Sequence, residues 1–352
     1  MAPVKGTIMK RLLVVMAVLG VQVWPAVMGS IVDDKIHPAA SHKRSFKGGS
    51  IFNLTFTSRI DGISQPMLVQ IPKGYTPEKS WPLLVTLHGL GDGPLLAPRM
   101  HSIVQIGPYG RQPAWSTEAS KQDVFQAIEL AKQLLNIDAE RIYLCGFSKG
   151  AITTFELALR YPDNWAACVP ICGRCDQLFL IENAEHLPFW IHAGEKDTVL
   201  PPAYSRTAYH KALELGFTHW KYTESKGMGH SFQANWKEVQ KWLLSKKRVK
   251  DPKAVSFCTR DPNSTGAYWV EIIERDKHAG MARINAAISG RQITVTTKNV
   301  ANYKLKLNRS LINYDKPVTV VENGTTIFSQ VMDPNNPFVR KSAKLSHSCN
   351  GK

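Results

Sequence analysis

A serine, an aspartate and a histidine occupy positions in this chain that suit nucleophilic catalysis. Ser148 lies in Gly146-Phe147-Ser148-Lys149-Gly150, between an apolar strand-like run and a helix-like run. Two glycines in this spacing permit a sharp strand-to-helix turn that exposes the serine hydroxyl at the carboxyl edge of a sheet. Because a serine hydroxyl is a weak nucleophile, it needs a general base and a carboxylate that orients the base.

Both partners are available downstream of the serine. Asp197 follows the apolar strand-like run 189–191, and His230 follows a second such run through the glycine-containing segment 226–229. The chain order serine, aspartate, histidine is the one expected after a strand-turn-helix serine. Glu195 is an alternative to Asp197 as the orienting carboxylate. We expect Ser148 as nucleophile, Asp197 as orienting acid and His230, at the opening of the last helix, as base.

A glycine-containing turn follows the buried-strand pattern of residues 82–87. It begins His88-Gly89-Leu90, and glycines let a backbone approach a reacting group closely. A tetrahedral intermediate needs two amide donors, and we expect them to be the backbone N–H groups of Leu90 and Lys149. His88, Gly89 and His192 are the residues we expect to contact substrate.

The elements that position these residues follow from the hydrophobic pattern. Two alternating strands, 53–58 and 65–71, precede a region in which short apolar runs and helix-periodic segments alternate. This alternation predicts a mostly parallel sheet with helices on both faces, over residues 51–250. The predicted strands are 82–87, 141–145, 166–171, 188–192 and 219–224, and the predicted helices are 121–135, 151–160, 204–215 and 232–246.

A second domain is predicted after the charged segment 246–252. The hydrophobic period there becomes two, and Asn323-Gly324 between apolar runs is a strong hairpin signal. We expect a small all-β, sandwich-like domain over residues 253–346. Its Tyr268 and Trp269 could stack on sugars, but core packing is the preferred interpretation because a tryptophan in a strand usually buries its large surface.

The chain start is typical of an export signal. Lys5, Lys10 and Arg11 precede the apolar stretch 12–28, so we expect a signal peptide over 1–29, a loose lead-in over 30–50 and a secreted or periplasmic protein. A retained membrane anchor is the alternative. We expect no stable membrane insertion, because the apolar run is shorter than the ~20 residues of a typical spanning helix.

Charge and cysteine content narrow the partners. The formal net charge is +16 at pH 7, but the basic residues are dispersed and no nucleic-acid motif accompanies them, so nucleic acid is not expected as a partner. Six cysteines could form disulfides or pack as thiols, and their pairing stays open. A lone Cys172-Gly-Arg-Cys175 is a weak metal or redox signal, so we expect neither a metal nor a cofactor.

The combined motifs resemble those of the phospholipase/carboxylesterase and polyhydroxybutyrate-depolymerase-like esterases of the α/β-hydrolase superfamily, relatives of the prolyl-oligopeptidase catalytic domain. The resemblance rests on residues 88–92, 146–150, Asp197 and 229–230, and it covers about residues 60–248. It implies an α/β-hydrolase fold and ester hydrolysis through an acyl-enzyme. Lys149 departs from the glutamine that acyl-thioesterase members usually carry.

Three functions follow from these observations. The preferred one is a secreted carboxylesterase that removes acyl or feruloyl groups from a small ester or a polysaccharide. A prolyl-oligopeptidase-like serine peptidase would use the same three residues with a different pocket. A binding module without catalysis is the third alternative, and the intact serine, aspartate and histidine argue against it.

Overall fold

The computed structural model describes residues 34–35, 46–98, 100–111, 114–276 and 280–341. The predicted signal peptide and most of the predicted lead-in lie outside these residues. The chain divides into two compact units. We call them the α/β unit (Met1–Ala158, Asn164–Leu178 and Leu187–Arg248) and the β unit (Leu159–Asp163, Phe179–His186 and Val249–Lys352).

The α/β unit is built on a nine-stranded sheet with four described helices. Its strands are β1 (Asp34–Lys35), β2 (Ile51–Thr57), β3 (Ser64–Gln70), β4 (Trp81–Leu87), β5 (Val104–Pro108), β6 (Ile137–Phe147), β7 (Ala167–Ile171), β8 (Trp190–Gly194) and β9 (Lys221–Ser225). Its helices are α1 (Glu118–Leu134), α2 (Lys149–Arg160), α3 (Pro202–Glu214) and α4 (Trp236–Leu244).

Strand order determines where a site can form. The sheet runs β1-β2-β3-β5-β4-β6-β7-β8-β9; β3 is antiparallel to β2 and β5, and the other neighbours are parallel. The chain leaves β4 toward β5 and then returns to its other side with β6. This reversal is a topological switch point, outside which α/β sheets bind ligands. The predicted α/β-hydrolase fold is confirmed.

Local sequence explains these elements. All seven residues of β4 are buried, as expected for a central parallel strand. Thr117 begins α1 through a capping box with Ser120, and the buried residues of that helix recur with helical spacing. The structure differs from the prediction at two places in this unit. It contains the strand β5, which the hydrophobic pattern does not predict. The last helix, α4, begins at Trp236 after the N-cap residue Asn235, so His230 lies in a loop rather than at the opening of the helix.

The β unit contains two sheets around one hydrophobic core, in agreement with the sandwich-like prediction. One sheet has the order β10-β13-β14-β16-β17 and the other β11-β12-β15-β18. The strands are β10 (Ala254–Thr259), β11 (Gly266–Ala267), β12 (Val270–Arg275), β13 (Ala282–Ser289), β14 (Gln292–Lys298), β15 (Val300–Leu305), β16 (Val318–Glu322), β17 (Thr325–Gln330) and β18 (Phe338–Arg340).

Two sequence signals in the β unit are borne out. Asn323 and Gly324 both have positive φ and join β16 to β17, as a type I′ turn requires. Trp269 is 2% exposed, and its indole donates to the Pro252 carbonyl at 2.7 Å, so it belongs to the core. Tyr268 is partly buried and packs against the same core.

Two short segments of the central chain belong to the β unit, which the hydrophobic pattern did not indicate. Asn183 explains part of this arrangement because its buried amide bonds three ways. It donates to the carbonyls of Leu159 and Cys258 at 2.9 and 3.0 Å and accepts from the Cys258 amide at 2.7 Å. A single polar side chain thus joins segments that are far apart in sequence.

The cysteines act as packing groups in the described residues. Cys145, Cys168, Cys172, Cys175 and Cys258 are all buried and free, so no disulfide forms among them, and Cys349 lies outside the described part.

Within the described residues, no helix combines the length and apolarity needed to cross a bilayer.

Candidate active site

Ser148 occupies a strained turn between β6 and α2. Its φ is +55°, in the left-handed region that non-glycine residues rarely adopt, and its amide donates to Ile171 at 3.0 Å. The flanking glycines make this turn sterically feasible. A Cβ on Gly146 would lie 2.2 Å from the Gly150 carbonyl oxygen, and one on Gly150 would lie 2.1 Å from that of Leu87. The Gly-x-Ser-x-Gly spacing is therefore required by close backbone packing.

A continuous hydrogen-bonded chain joins the three predicted residues. His230 Nε2 lies 2.9 Å from Ser148 Oγ, and His230 Nδ1 lies 2.8 Å from Asp197 Oδ2. The other carboxylate oxygen accepts from the amides of Val199 and Leu200 at 2.9 and 2.8 Å. Asp197 is thereby held as an acceptor, which favours the imidazole tautomer with its proton on Nδ1 and leaves Nε2 free to accept the serine proton.

The electrostatics of Asp197 suit this role. Burial opposes ionisation, but the hydrogen bonds from His230, Leu200 and Val199 outweigh it, so the net pKa of the carboxyl is lowered. The side chains of Asp197 and His230 are 1% and 6% exposed. An ionised carboxylate that is hydrogen-bonded through both oxygens and buried can stabilise an imidazolium that forms beside it.

Glu195, the alternative orienting acid, has a different position. Its Oε2 accepts from the Gly227 amide at 2.7 Å, and the neighbouring Lys196 amide donates to the Met228 carbonyl at 2.7 Å. Both contacts tie the loop that carries His230 to the loop that carries Asp197. Glu195 thus contacts the backbone of the histidine loop, whereas Asp197 contacts the imidazole itself.

Gly194 provides a test of how closely these two loops must approach. A Cβ at this position would lie 2.3 Å from the Gly229 carbonyl oxygen and 2.6 Å from that of Met228. Gly194→Ala must therefore displace the backbone next to His230, and we expect kcat/KM for ester hydrolysis to fall about 100-fold. Gly229→Ala is the matched control, because the nearest atom to its Cβ would be 3.8 Å away. Equal activity of the two variants would contradict the argument.

The predicted oxyanion donors lie at the ends of neighbouring parallel strands. Leu87 of β4 is paired with Gly146 of β6, so the segments that follow, with Leu90 and Lys149, emerge at the same sheet edge. A Cβ on Gly89 would lie 3.5 Å from the Ser148 Cβ, which places the first segment against the nucleophile. Neither the Leu90 nor the Lys149 amide bonds to another described residue. Both N–H groups therefore lack a protein acceptor among these residues.

The structure places His88, one of the predicted substrate contacts, inside the fold. Its side chain is fully buried, and its two ring nitrogens face the carbonyl oxygens of Gly89 and Tyr109. Trp115 packs on the ring at 5.1 Å and donates its indole N–H to the His88 carbonyl at 2.9 Å. His88 therefore supports the turn that carries Leu90, while Gly89 lies beside the serine.

His192, the other histidine predicted to contact substrate, is also buried, at 3% exposure. It lies on β8 with its ring 5.1 Å from that of Trp190, and neither ring nitrogen has a hydrogen-bond partner among the described residues. Burial lowers the pKa of His192 to about 4. The ring is consequently neutral in the folded protein at physiological pH.

This burial predicts an acid-dependent loss of stability. Below pH 6.5 an unfolded chain protonates His192, whereas the folded chain resists protonation down to about pH 4. The free energy of unfolding should therefore fall as pH decreases through this window, by about 3 kcal/mol at most from this group. His192→Phe should reduce the slope of stability against pH in urea titrations between pH 6.5 and 4. An unchanged slope would contradict the assignment.

One group of potential metal ligands was found among the described residues. Ligand atoms of Cys172, Asp197 and His230 lie within 4.8 Å of one another. The Asp197 carboxylate and the His230 imidazole are already joined by a hydrogen bond, and burial raises the pKa of the Cys172 thiol to about 12. Because a thiol must lose its proton to bind a metal well, we assign no metal to this group.

Several supporting residues carried no sequence signal. The Phe147 ring lies 5.0 Å from the His230 ring and 5.7 Å from the Phe232 ring, so aromatic side chains pack beside the His230 imidazole. Trp115 supports His88 from a segment with no recognisable motif. The spacing of Cys172 and Cys175 in the sequence does not indicate that the Cys172 thiol lies near Asp197.

Comparisons with known proteins match parts of this chain. Residues 96–243 match the family described as Phospholipase/Carboxylesterase. A bifunctional acetylxylan esterase/xylanase of Neocallimastix patriciarum is 29% identical over 157 residues, which make up 40% of this chain and 23% of that protein. The chain thus spans less than a quarter of the length of this curated relative.

The solved structures that are similar to part of this chain include three hydrolases. A thermostable esterase is 25% identical with a TM-score of 0.49, over 56% of this chain and 63% of its own. A CE1 ferulic acid esterase from Anaeromyces mucronatus is 15% identical with a TM-score of 0.46, over 58% and 94%. An acylaminoacyl peptidase of Pyrococcus horikoshii is 16% identical with a TM-score of 0.49, over 59% and 43%.

Proposed function

We propose that this chain, an α/β-hydrolase, is a serine carboxylic ester hydrolase that works through an acyl-enzyme. The observation that carries the proposal is the hydrogen-bonded chain from Asp197 through His230 to Ser148 at the switch point of the sheet. A nucleophile, a base and an orienting carboxylate in this geometry are the parts that acyl transfer requires.

Acylation begins at Ser148. Its oxygen attacks the ester carbonyl carbon while His230 Nε2 takes the hydroxyl proton, over the 2.9 Å that separates the two atoms. The imidazolium is stabilised by the Asp197 carboxylate, which stays ionised. When the tetrahedral intermediate collapses, the carbon–oxygen bond to the alcohol breaks and His230 returns the proton to the leaving oxygen.

Deacylation repeats these steps with water. His230 removes a proton from a water molecule, the hydroxide oxygen adds to the acyl carbon, and the bond to Ser148 Oγ breaks. The serine recovers its proton and the carboxylic acid leaves. In both halves the negative carbonyl oxygen is stabilised by the amides of Leu90 and Lys149, which begins α2.

Removal of the Leu90 amide tests the oxyanion assignment. Leu90→Pro deletes one donor, so we expect kcat to fall by about 10²–10³-fold with a smaller change in KM. Leu90→Ala keeps the amide and shortens only a side chain that is 61% exposed, so it should keep nearly full kcat. Thermal unfolding of both variants controls for damage to the turn. Equal loss of kcat in the two would contradict the role of the amide.

For the substrate we propose an acetyl or feruloyl ester on a polysaccharide. The match to carboxylesterases and the partial likeness to an acetylxylan esterase/xylanase support an ester over an amide. The predicted signal peptide over 1–29 supports export to where such polymers occur. Mass spectrometry of the exported protein tests this part, because cleavage before Ser30 gives a defined mass and an intact Met1 contradicts it.

The deciding experiment measures hydrolysis of matched ester and amide substrates. We expect turnover of acetylated xylan and methyl ferulate, with acetylated or feruloylated Ser148 trapped by acid quench and located by mass spectrometry. Proline-containing peptide amides should be poor substrates. Preferred cleavage of the amides would favour the peptidase, and absence of any acyl-enzyme in a folded sample would favour a binding module.

A further inference from the structure

A cavity in the β unit has no role in the chemistry described above. It measures about 420 Å³, within the ~300–1,000 Å³ range of ligand pockets. One wall is the two-residue turn between β13 and β14, Gly290-Arg291, and another is the loop 309–313. The cavity brings together segments that are about 20 residues apart in sequence, and the polar residues of its lining are Arg291, Arg309, Ser310 and Asn313.

The loop that forms one wall is held in a fixed conformation. Asn308 Oδ1 accepts from the Ser310 and Leu311 amides at 2.9 and 3.2 Å. The Lys253 ammonium donates to the carbonyls of Ser310 and Leu311 at 3.0 and 2.8 Å. A loop fixed from both sides requires little ordering when a ligand binds.

The turn on the other wall is anchored as well. Ser289 and Gln292 pair across it, Gly290 has a φ of +57°, and the Arg291 carbonyl accepts from the Thr319 amide at 2.9 Å. Glycine at the first position satisfies the positive φ that tight hairpin turns need. The backbone of Arg291 is therefore fixed while its exposed side chain extends from the turn.

The charges around the cavity favour an anion. The Arg309 guanidinium lies 5.8 Å from the centre of the Tyr314 ring, and among the described residues no carboxylate pairs with Arg309 or Arg291. The Asp251 carboxylate at this loop already accepts from the Ser310 hydroxyl and the Asn308 side-chain NH₂ group, and a second acid, Asp315, follows Asn313 by two residues. Two guanidinium groups without acidic partners leave a positive field at the cavity.

We propose that this cavity binds an acidic sugar unit of a polysaccharide through its carboxylate. A guanidinium group matches a carboxylate in shape and charge and bonds it through two N–H donors. The Asn313 side chain in the wall accepts from the Asp315 amide through its oxygen, which leaves its NH₂ group to donate to a sugar hydroxyl. The choice of a sugar rather than a simple anion rests on the proposed function, but anion binding does not.

The site would hold the protein on the polysaccharide while esters elsewhere on the same polysaccharide are cleaved. Binding through a second module raises the local concentration of substrate without a new contact at the catalytic serine. The expected signature is stronger retention on acidic than on neutral polysaccharide, with weaker binding at high salt because the contacts are ionic and exposed.

Titration calorimetry with the full chain tests the proposal. The probe is a xylo-oligosaccharide that carries glucuronic acid, and its matched control is the same oligosaccharide with the carboxyl group reduced to an alcohol. We expect measurable binding of the acid form only. Arg291→Gln and Arg309→Gln should each weaken it about tenfold or more, while Lys298→Gln, at the far end of β14, should change it less than about twofold.

Several results of these experiments would contradict the proposed anion site. Equal binding of the reduced sugar, no loss in the arginine variants, or no binding at all would overturn the proposal. Inorganic phosphate or sulfate that binds as tightly as the acidic sugar would overturn the sugar assignment. Hydrolysis of p-nitrophenyl acetate, measured on the same samples, should be unaffected by the arginine variants. If the wild-type protein shows no esterase activity, that result contradicts the proposed function but does not affect the conclusion on anion binding.

Discussion

Replacement of Asp197 by asparagine is expected to lower kcat for ester hydrolysis by about 10³–10⁴-fold. Asparagine has the shape of aspartate, and its oxygen can still accept from the Val199 and Leu200 amides at 2.9 and 2.8 Å. Its NH₂ group would then face His230 Nδ1 and donate to it. The imidazole would carry its proton on Nε2, where it could no longer accept the proton of Ser148.

Glu195→Gln is the matched control for this variant. It also exchanges a carboxylate for an amide, two residues away, but it keeps an oxygen that can accept from the Gly227 amide. We expect a loss at least about tenfold smaller than that of Asp197→Asn, because Glu195 holds a loop rather than the imidazole. The measurement is single-turnover acylation by a p-nitrophenyl ester. A larger loss in Glu195→Gln would identify Glu195 as the acid that matters.

The catalytic candidates could be recognised from the sequence for a physical reason. Ser148 needs glycines on both sides because Gly146 and Gly150 pack against backbone atoms, and so the pattern is visible in the residues themselves. Asp197 and His230 each follow an apolar strand-like run, and carboxyl ends of parallel strands meet at one sheet edge. Chain order then identified them as partners of the serine.

The surroundings of the site could not be recognised in the same way. His88 and His192 were expected to contact substrate because they follow or end strands near the catalytic loops. A strand end gives no information on whether a side chain is covered, and Trp115 covers His88 from a distant segment. Burial of this kind depends on tertiary packing, which the hydrophobic periodicity of the sequence does not reveal.

The limits of some helices and strands also depend on tertiary contacts that the local sequence pattern does not show. The helix predicted from residue 232 begins at Trp236, since Phe232 packs on Phe147 and Trp236 instead of continuing the helical face. The short strand β5 has five buried residues and too little length for a clear period. The contribution of Asn183 to the β unit rests on three long-range hydrogen bonds that a linear pattern cannot predict.

The largest loss is expected for Ser148→Ala, because no other group can form the acyl-enzyme. We expect kcat to fall by about 10⁶-fold, to the level that substrate binding and the oxyanion donors alone support. Active-site titration of the wild type and a burst measurement on the variant separate this residual rate from contamination. A variant that keeps a burst of alcohol release would contradict Ser148 as nucleophile.

The double variant Ser148→Ala/Asp197→Asn tests whether the residues act as a unit. Asp197 acts on the reaction through His230, and His230 acts through the Ser148 hydroxyl, 2.9 Å from its Nε2 atom. The carboxylate should therefore no longer increase the rate once the hydroxyl is removed. The double variant should therefore be no more than about threefold slower than Ser148→Ala alone, although Asp197→Asn costs about 10³-fold or more in the wild type. A further large loss would mean that Asp197 contributes to the reaction independently of the serine.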